Sequence, residues 1–260
     1  MHLSKQQPIH SEKFTIKDVI SSVSDGWNIF LEVPKVSIAY AAIFAVIGLL
    51  LLTYIGFEGF SPIALPFAGG FMLIGPVLLS GFFKISDNHT KDSESVRLSD
   101  AILALKNSSK QLWIISLVCM LLFMVWITDA AILYAIMIGG DHLPYQLPWL
   151  IEIRSNDIAF VFWGSIMGSV LAFLIFSISA FSVPLLYQNK THIVNAISLS
   201  AKTVMRNFIS SIFWGILLSV LTMTSIVFMP LFVVTLPVLS FASYSLYKKV
   251  FPFTEESIND

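Results

Sequence analysis

The chain has 260 residues, 56% of them hydrophobic and 12% charged, with a mean hydropathy of +0.82 and a formal net charge of −1. Soluble domains carry about 25% charged residues, so a water-soluble globular fold is excluded, and nothing is basic enough to suggest a nucleic-acid partner. The single cysteine, Cys119, excludes an intrachain disulfide.

Residues 1–13 read as a disordered tail, and the first 35 residues lack the short apolar core of a cleaved signal peptide. The first span itself is therefore expected to direct insertion. A single domain over 14–250 carries six apolar runs, at about 36–55, 62–83, 112–138, 158–187, 208–228 and 230–247, followed by a tail at 251–260. About 20 apolar residues cross a bilayer core. In lipid each isolated run must satisfy its own backbone hydrogen bonds, which makes it a helix. The runs do not alternate apolar with polar residues, as a β-barrel requires.

Charge gives the orientation. Fourteen of the 15 Lys and Arg residues lie in the N-terminal segment, the Lys84–Gln111 and Gln188–Asn207 connections and the C-terminal part; only Arg154 lies on the other side. The positive-inside rule places both termini in the cytoplasm.

A repeat runs through the three cytoplasmic segments. Asp18-Val19-Ile20, Asp100-Ala101-Ile102 and Asn195-Ala196-Ile197 each open an amphipathic stretch that leads into an outward span. Each returning span carries a proline and then a lysine at the membrane edge: Pro76 with Lys84, Pro184 with Lys190, Pro237 with Lys248. The expected fold is all-α: a polytopic membrane protein with six transmembrane helices in three parallel helix-pair repeats, each pair preceded by a cytoplasmic amphipathic helix. Parallel pairs differ from the inverted repeats of many transporters.

The residues also resemble a family. Gly26-Trp27 ahead of Pro34, the run Gly70-Phe71 to Gly75-Pro76 and Gly81, the stretch Ser182-Val183-Pro184-Leu185-Leu186, Asn195-Ala196, Asn207, and Pro237 through Tyr244 to Tyr247 are similar to a bacterial family of integral membrane proteins without an established activity, some of them catalogued as cytochrome c oxidase subunit I. The resemblance extends over about residues 14–250 and implies a bacterial protein, hence an inner-membrane one, with no catalytic residues to carry over. The oxidase label conflicts with the residues. A haem–copper subunit needs several histidines inside its helices, whereas His2, His10, His89, His142 and His192 fall in tails or connections. No haem, copper or other cofactor is expected, and no enzymatic activity. An accessory or assembly role beside an oxidase stays open, since it needs no ligands of its own.

Candidate sites are few. Asp129 is the one charged residue well inside an apolar run, and such residues usually face a bundle interior or water. It is the candidate functional residue, with an inert outer-interface carboxylate as the alternative. Gly164 and Gly168 form a G-x-x-x-G that lets a neighbouring helix approach. Gly75, Pro76, Pro184 and Pro237 are candidate packing or kink positions. Asp141, His142, Glu152 and Asp157, and separately Asp87, His89 and Asp92, read as solvated loop residues, and no metal site is expected. Lys106, Lys110, Lys202 and Arg206 can rest against anionic headgroups.

The expected function is that of a non-enzymatic accessory, assembly or scaffold component, with a respiratory complex or another membrane protein as partner besides the lipid bilayer. A small-solute transporter or channel is the alternative. The sequence does not give the oligomeric state.

Overall fold

The computed structural model describes residues 11–58, 64–91, 96–137 and 155–252. Among them the chain is helical throughout: α1 (Ile16–Glu32), α2 (Pro34–Glu58), α3 (Ala64–Lys91), α4 (Leu98–Lys106), α5 (Lys110–Met137), α6 (Ser155–Ser179), α7 (Ser182–Tyr187), α8 (Ile193–Arg206), α9 (Phe208–Val227) and α10 (Met229–Val250). Among the described residues four segments can cross a membrane by length and composition: Lys110–Met137, Ile158–Tyr187, Phe208–Ser225 and Pro230–Val250. A fifth is added if the bent pair α1–α2 counts as one span. The expected second span falls within α3 from residue 64 on, but residues 62–63 and the side chains of residues 64–74 lie outside those described.

The three amphipathic stretches are α1, α4 and α8. Counting from each helix start, Asp18, Asp100 and Asn195 all occupy the third position. The next residue in each, Val19, Ala101 and Ala196, is fully buried. The shared triplets thus hold equivalent places, where an acidic or amide side chain suits the first turn and the next residue enters the core. Only α1 closes a full capping box, between Thr15 and Asp18. Helix α4 has nine residues rather than the expected four turns or so. It stops at Asn107, and Ser109 then accepts from the Leu112 N–H (3.3 Å) to start α5.

Two of the amphipathic helices meet the next helix at a junction with a local cause. At the first, Pro34 keeps Val33 out of the helical region, and α2 leaves α1 at 101°. At the third, Asn207 serves both helices. Its Nδ2 donates to the Thr203 carbonyl (2.9 Å), and its Oδ1 accepts from the Phe14 N–H (3.2 Å). Residues 11–13, expected in the tail, are held as well: the Glu12 N–H donates to the Val250 carbonyl (2.8 Å), and Arg206 donates to the Ser11 carbonyl.

Two expectations change in detail. Helix α3 runs about two turns past the expected end at residue 83, so His89 is helical, in its last turn. The fourth apolar run is broken after Ser179. Pro184 has no N–H for the Ala180 carbonyl. The Ser200 hydroxyl of α8 inserts just before it, donating to the Ser177 carbonyl (2.7 Å) and accepting from the Phe181 N–H (3.1 Å). Those two groups would otherwise bond each other, so the inserted side chain accounts for the break. After α7 the chain turns at Asn189, whose φ of 53° is left-handed, a conformation asparagine tolerates. Pro76 and Pro237 lie within continuous helices.

The buried core sits at one end of the bundle. Its largest fully buried side chains include Tyr40, Phe82, Phe83, Leu112, Phe181, Leu185, Phe241, Tyr244 and Tyr247. Beyond it the helices carry apolar residues outward: Leu121, Val125, Ile132 and Ile136 on α5, and Ile158, Phe162 and Val170 on α6. Apolar faces of this extent are not tolerated in water, and lipid is their natural cover. Glycine permits the closest packing. A β-carbon on Gly26 of α1 would stand 2.5 Å from the Val238 carbonyl oxygen and 2.7 Å from the Ala242 nitrogen of α10. One on Gly81 would overlap the Tyr40 ring and hydroxyl, and that hydroxyl donates to the Leu78 carbonyl (3.0 Å).

Candidate functional site

At the basic end of the bundle one network of polar side chains is centred on Asp87, in the penultimate turn of α3. The Tyr244 hydroxyl of α10 donates to Asp87 (2.9 Å to Oδ1, 3.0 Å to Oδ2), and the Tyr187 hydroxyl of α7 donates to Oδ2 (3.2 Å). Lys248 Nζ adds a charge-assisted bond to Oδ1 (3.0 Å) and lies 4.3 Å from the Tyr244 ring centroid. Gln188 extends the network: its Nε2 donates to the Tyr244 hydroxyl (2.8 Å), and its Oε1 accepts from Tyr247 (3.0 Å). Phe83 stacks on Tyr244 with centroids 4.5 Å apart, and Tyr187 meets both rings edge-on.

Sequence spacing explains why these groups converge. Tyr244, Tyr247 and Lys248 are three and four residues apart and share one face of α10. Phe83 and Asp87 are four apart on α3. The break before α7 brings Tyr187 and Gln188 across the gap. Each hydroxyl both fills the core with its ring and finds a partner at its tip. Chemically the arrangement is a saturated one. Asp87 accepts from three side chains, so it is poorly placed to act as a base.

Two further polar contacts tie α1 to the same end. Lys249 lies 2.8 Å from Asp25, whose Oδ2 also accepts from Ser245 (2.7 Å). Burial raises the Asp25 pKa, but hydrogen bonds from Lys249 and Ser245 outweigh it and hold the carboxyl below its ordinary value. The stability this adds is present above the ordinary carboxylate range and lost as pH falls through the lowered pKa. Glu32 of α1 meets His89 of α3 at 2.5 Å.

The candidates from sequence are dispersed. Asp87 and His89 face different partners, and Asp92 lies outside the described residues. So do Asp141, His142 and Glu152, along with the side chain of Asp157. Among the described residues no three metal-ligating side chains cluster. Gly164 and Gly168 lie toward α5: β-carbons there would be 3.7 Å from Leu133 and 3.2 Å from Trp126. Asp129 is half-buried on α5, three residues after Trp126 and four before Leu133, so helix register puts it on the side bordering that glycine pair. Among the described residues it accepts no hydrogen bond and joins no ion pair. Gly75 has open space beside it, and Pro184 and Pro237 are buried.

The Asp87 network escapes sequence reasoning because its partners lie 100, 157 and 161 residues away. The available signal is the face shared by Tyr244, Tyr247 and Lys248, within a stretch singled out above for family resemblance.

Residues 64–188 match the family described as "Predicted integral membrane protein (DUF2189)". This is narrower than the resemblance over about 14–250. It takes in Asp87, Tyr187 and Gln188 but not their partners on α10. Comparison with curated proteins and with solved structures finds no match. The chain is an integral membrane protein that is similar, over residues 64–188, to this family.

Proposed function

We propose that the protein is a bacterial inner-membrane component with six spans and both termini in the cytoplasm, built as three parallel helix pairs. It performs no chemistry of its own and acts as an accessory, assembly or scaffold component for another membrane protein, a respiratory complex being the first candidate. The observation that carries this reading is where the polar side chains go. At the basic end those around Asp87 and Asp25 satisfy one another. Within the apolar helices several hydroxyls turn back on their own backbones: Ser177 to Phe173 (2.7 Å), Ser179 to Ile175 (2.8 Å), Thr224 to Val220 (2.8 Å) and Ser225 to Leu221 (2.6 Å). A hydroxyl bonded to the carbonyl four residues back has spent its one donor on the helix, whereas a transport pathway needs several polar groups converging in mid-membrane.

The test is purification of the full chain in mild detergent, with mass spectrometry of what remains bound through gel filtration. The reading predicts a membrane-protein partner at fixed stoichiometry, and an Asp129→Asn variant that keeps that partner and complements a deletion at acidic and neutral pH. A chain that purifies alone, with complementation lost in Asp129→Asn, would overturn it in favour of a proton-linked transporter.

A further inference from the structure

A cavity of about 330 Å³ opens at the basic end between α3, α4, the start of α5 and the turn after α7. That is near the lower end of small-molecule sites, about 300–1,000 Å³. Its lining carries one cation and one anion, Lys84 and Asp100. Neither joins an ion pair among the described residues. Lys84 is partly buried and donates no hydrogen bond among them, so its three donors are unspent. Asp100 accepts from Asn88 Nδ2 (3.1 Å) and weakly from Ser99 (3.5 Å), which leaves acceptor capacity on the carboxylate. Two unpaired opposite charges held apart in one half-sheltered cavity call for a ligand that carries both signs, because partly desolvated charges are costly without partners.

The walls indicate where the ligand comes from. Leu103 lines the cavity and is 51% exposed, so the site opens sideways. From its rim an apolar stripe runs along α5 through Trp113, Leu117 and Leu121, all exposed and four residues apart. A headgroup in the cavity would lay its acyl chain on that stripe. Asn107 and Ser109 add uncharged polar groups to the lining.

We propose that this cavity binds a phosphodiester bearing a primary ammonium two carbons away, the phosphoethanolamine headgroup of a membrane lipid, with the phosphate on Lys84 and the ammonium on Asp100. A phosphatidylglycerol headgroup has hydroxyls to offer Asp100 but no countercharge. A choline headgroup has no N–H to give it. The inference does not depend on the scaffold reading.

Native mass spectrometry of the full chain tests it, with palmitoyl-oleoyl phosphatidylethanolamine, phosphatidylglycerol and phosphatidylcholine supplied in turn. One ethanolamine lipid should be retained about tenfold more tightly than the other two; Asp100→Asn should remove that preference, whereas Lys84→Gln should weaken retention of all three lipids and Lys84→Arg should keep both retention and preference. Soluble glycerophosphoethanolamine separates the sources. If it displaces the lipid at equal concentration, the headgroup is recognised free of the membrane and the lipid assignment fails. A photoreactive ethanolamine lipid on the wild-type chain serves if a variant does not fold: adducts are expected between residues 103 and 121. Equal retention of all three lipids, or adducts spread over the apolar helices and absent from this stretch, would overturn the proposal.

Discussion

Replacing Gly26 with alanine is expected to force α1 off α10. The new β-carbon would sit 2.5 Å from a carbonyl oxygen and 2.7 Å from a backbone nitrogen. Both obstacles are main chain, so no side chain can rotate away. Overpacking typically costs about 1–3 kcal/mol, and this site belongs at or above the top of that range. At about 2–4 °C per kcal/mol for a chain of this size, a detergent-solubilised Gly26→Ala protein should melt about 6–12 °C lower by intrinsic fluorescence. The separation would also part Asp25 from Lys249 and Ser245. Gly75→Ala is the control, since nothing lies within 4 Å of a β-carbon there. It should leave the melting temperature unchanged or raise it slightly, because alanine is the better helix former by about 1 kcal/mol. Equal melting temperatures for Gly26→Ala and wild type would mean that the α1–α10 contact is looser than described.

Asp87→Ala should have an effect of comparable size. It leaves the Tyr187 and Tyr244 hydroxyls without their acceptor and Lys248 without its counter-charge. A buried polar group left unmatched costs about 1–3 kcal/mol. Lys248 is 40% exposed, so its share is small. The expected loss is about 2–5 kcal/mol, mostly from the two tyrosines. Asp87→Asn keeps an acceptor and should lose less. A Tyr187→Phe, Tyr244→Phe double variant removes the stranded hydroxyls, and adding it to Asp87→Ala should recover part of the stability. Such recovery is the mark of a coupled network rather than three separate bonds. If Asp87→Ala melts like wild type, the network does not hold α3, α7 and α10 together.

Much of the local architecture is legible in the sequence because it is written in local patterns. The run at 112–138 becomes α5 and that at 208–228 becomes α9, with ends moved by at most two residues. Length and apolarity alone specify a helix where the backbone must satisfy itself. The triplets at Asp18, Asp100 and Asn195 mark helix starts because first-turn chemistry is local. What escapes is what depends on a distant partner. The break in the fourth apolar run needs Ser200 of α8 as well as Pro184. The closeness of α1 to α10 rests on Gly26, which in sequence is one glycine in an amphipathic helix. Asp87 reads as a loop carboxylate because its hydroxyl partners follow it by 100 residues or more. Asp129 stands out in sequence for its apolar neighbours, but the polar groups gather elsewhere, at the basic end.

Thiol labelling in intact cells tests the central claim most directly: a multi-pass membrane protein with its basic, networked end in the cytoplasm. In a Cys119→Ser background, single cysteines are placed at His142→Cys, in the 139–157 connection, and at Ser257→Cys, in the C-terminal tail. A membrane-impermeant maleimide should label His142→Cys once the outer membrane is opened, and Ser257→Cys only after the inner membrane is broken. The reverse order of labelling, or both sites reacting on the same side, would contradict the account.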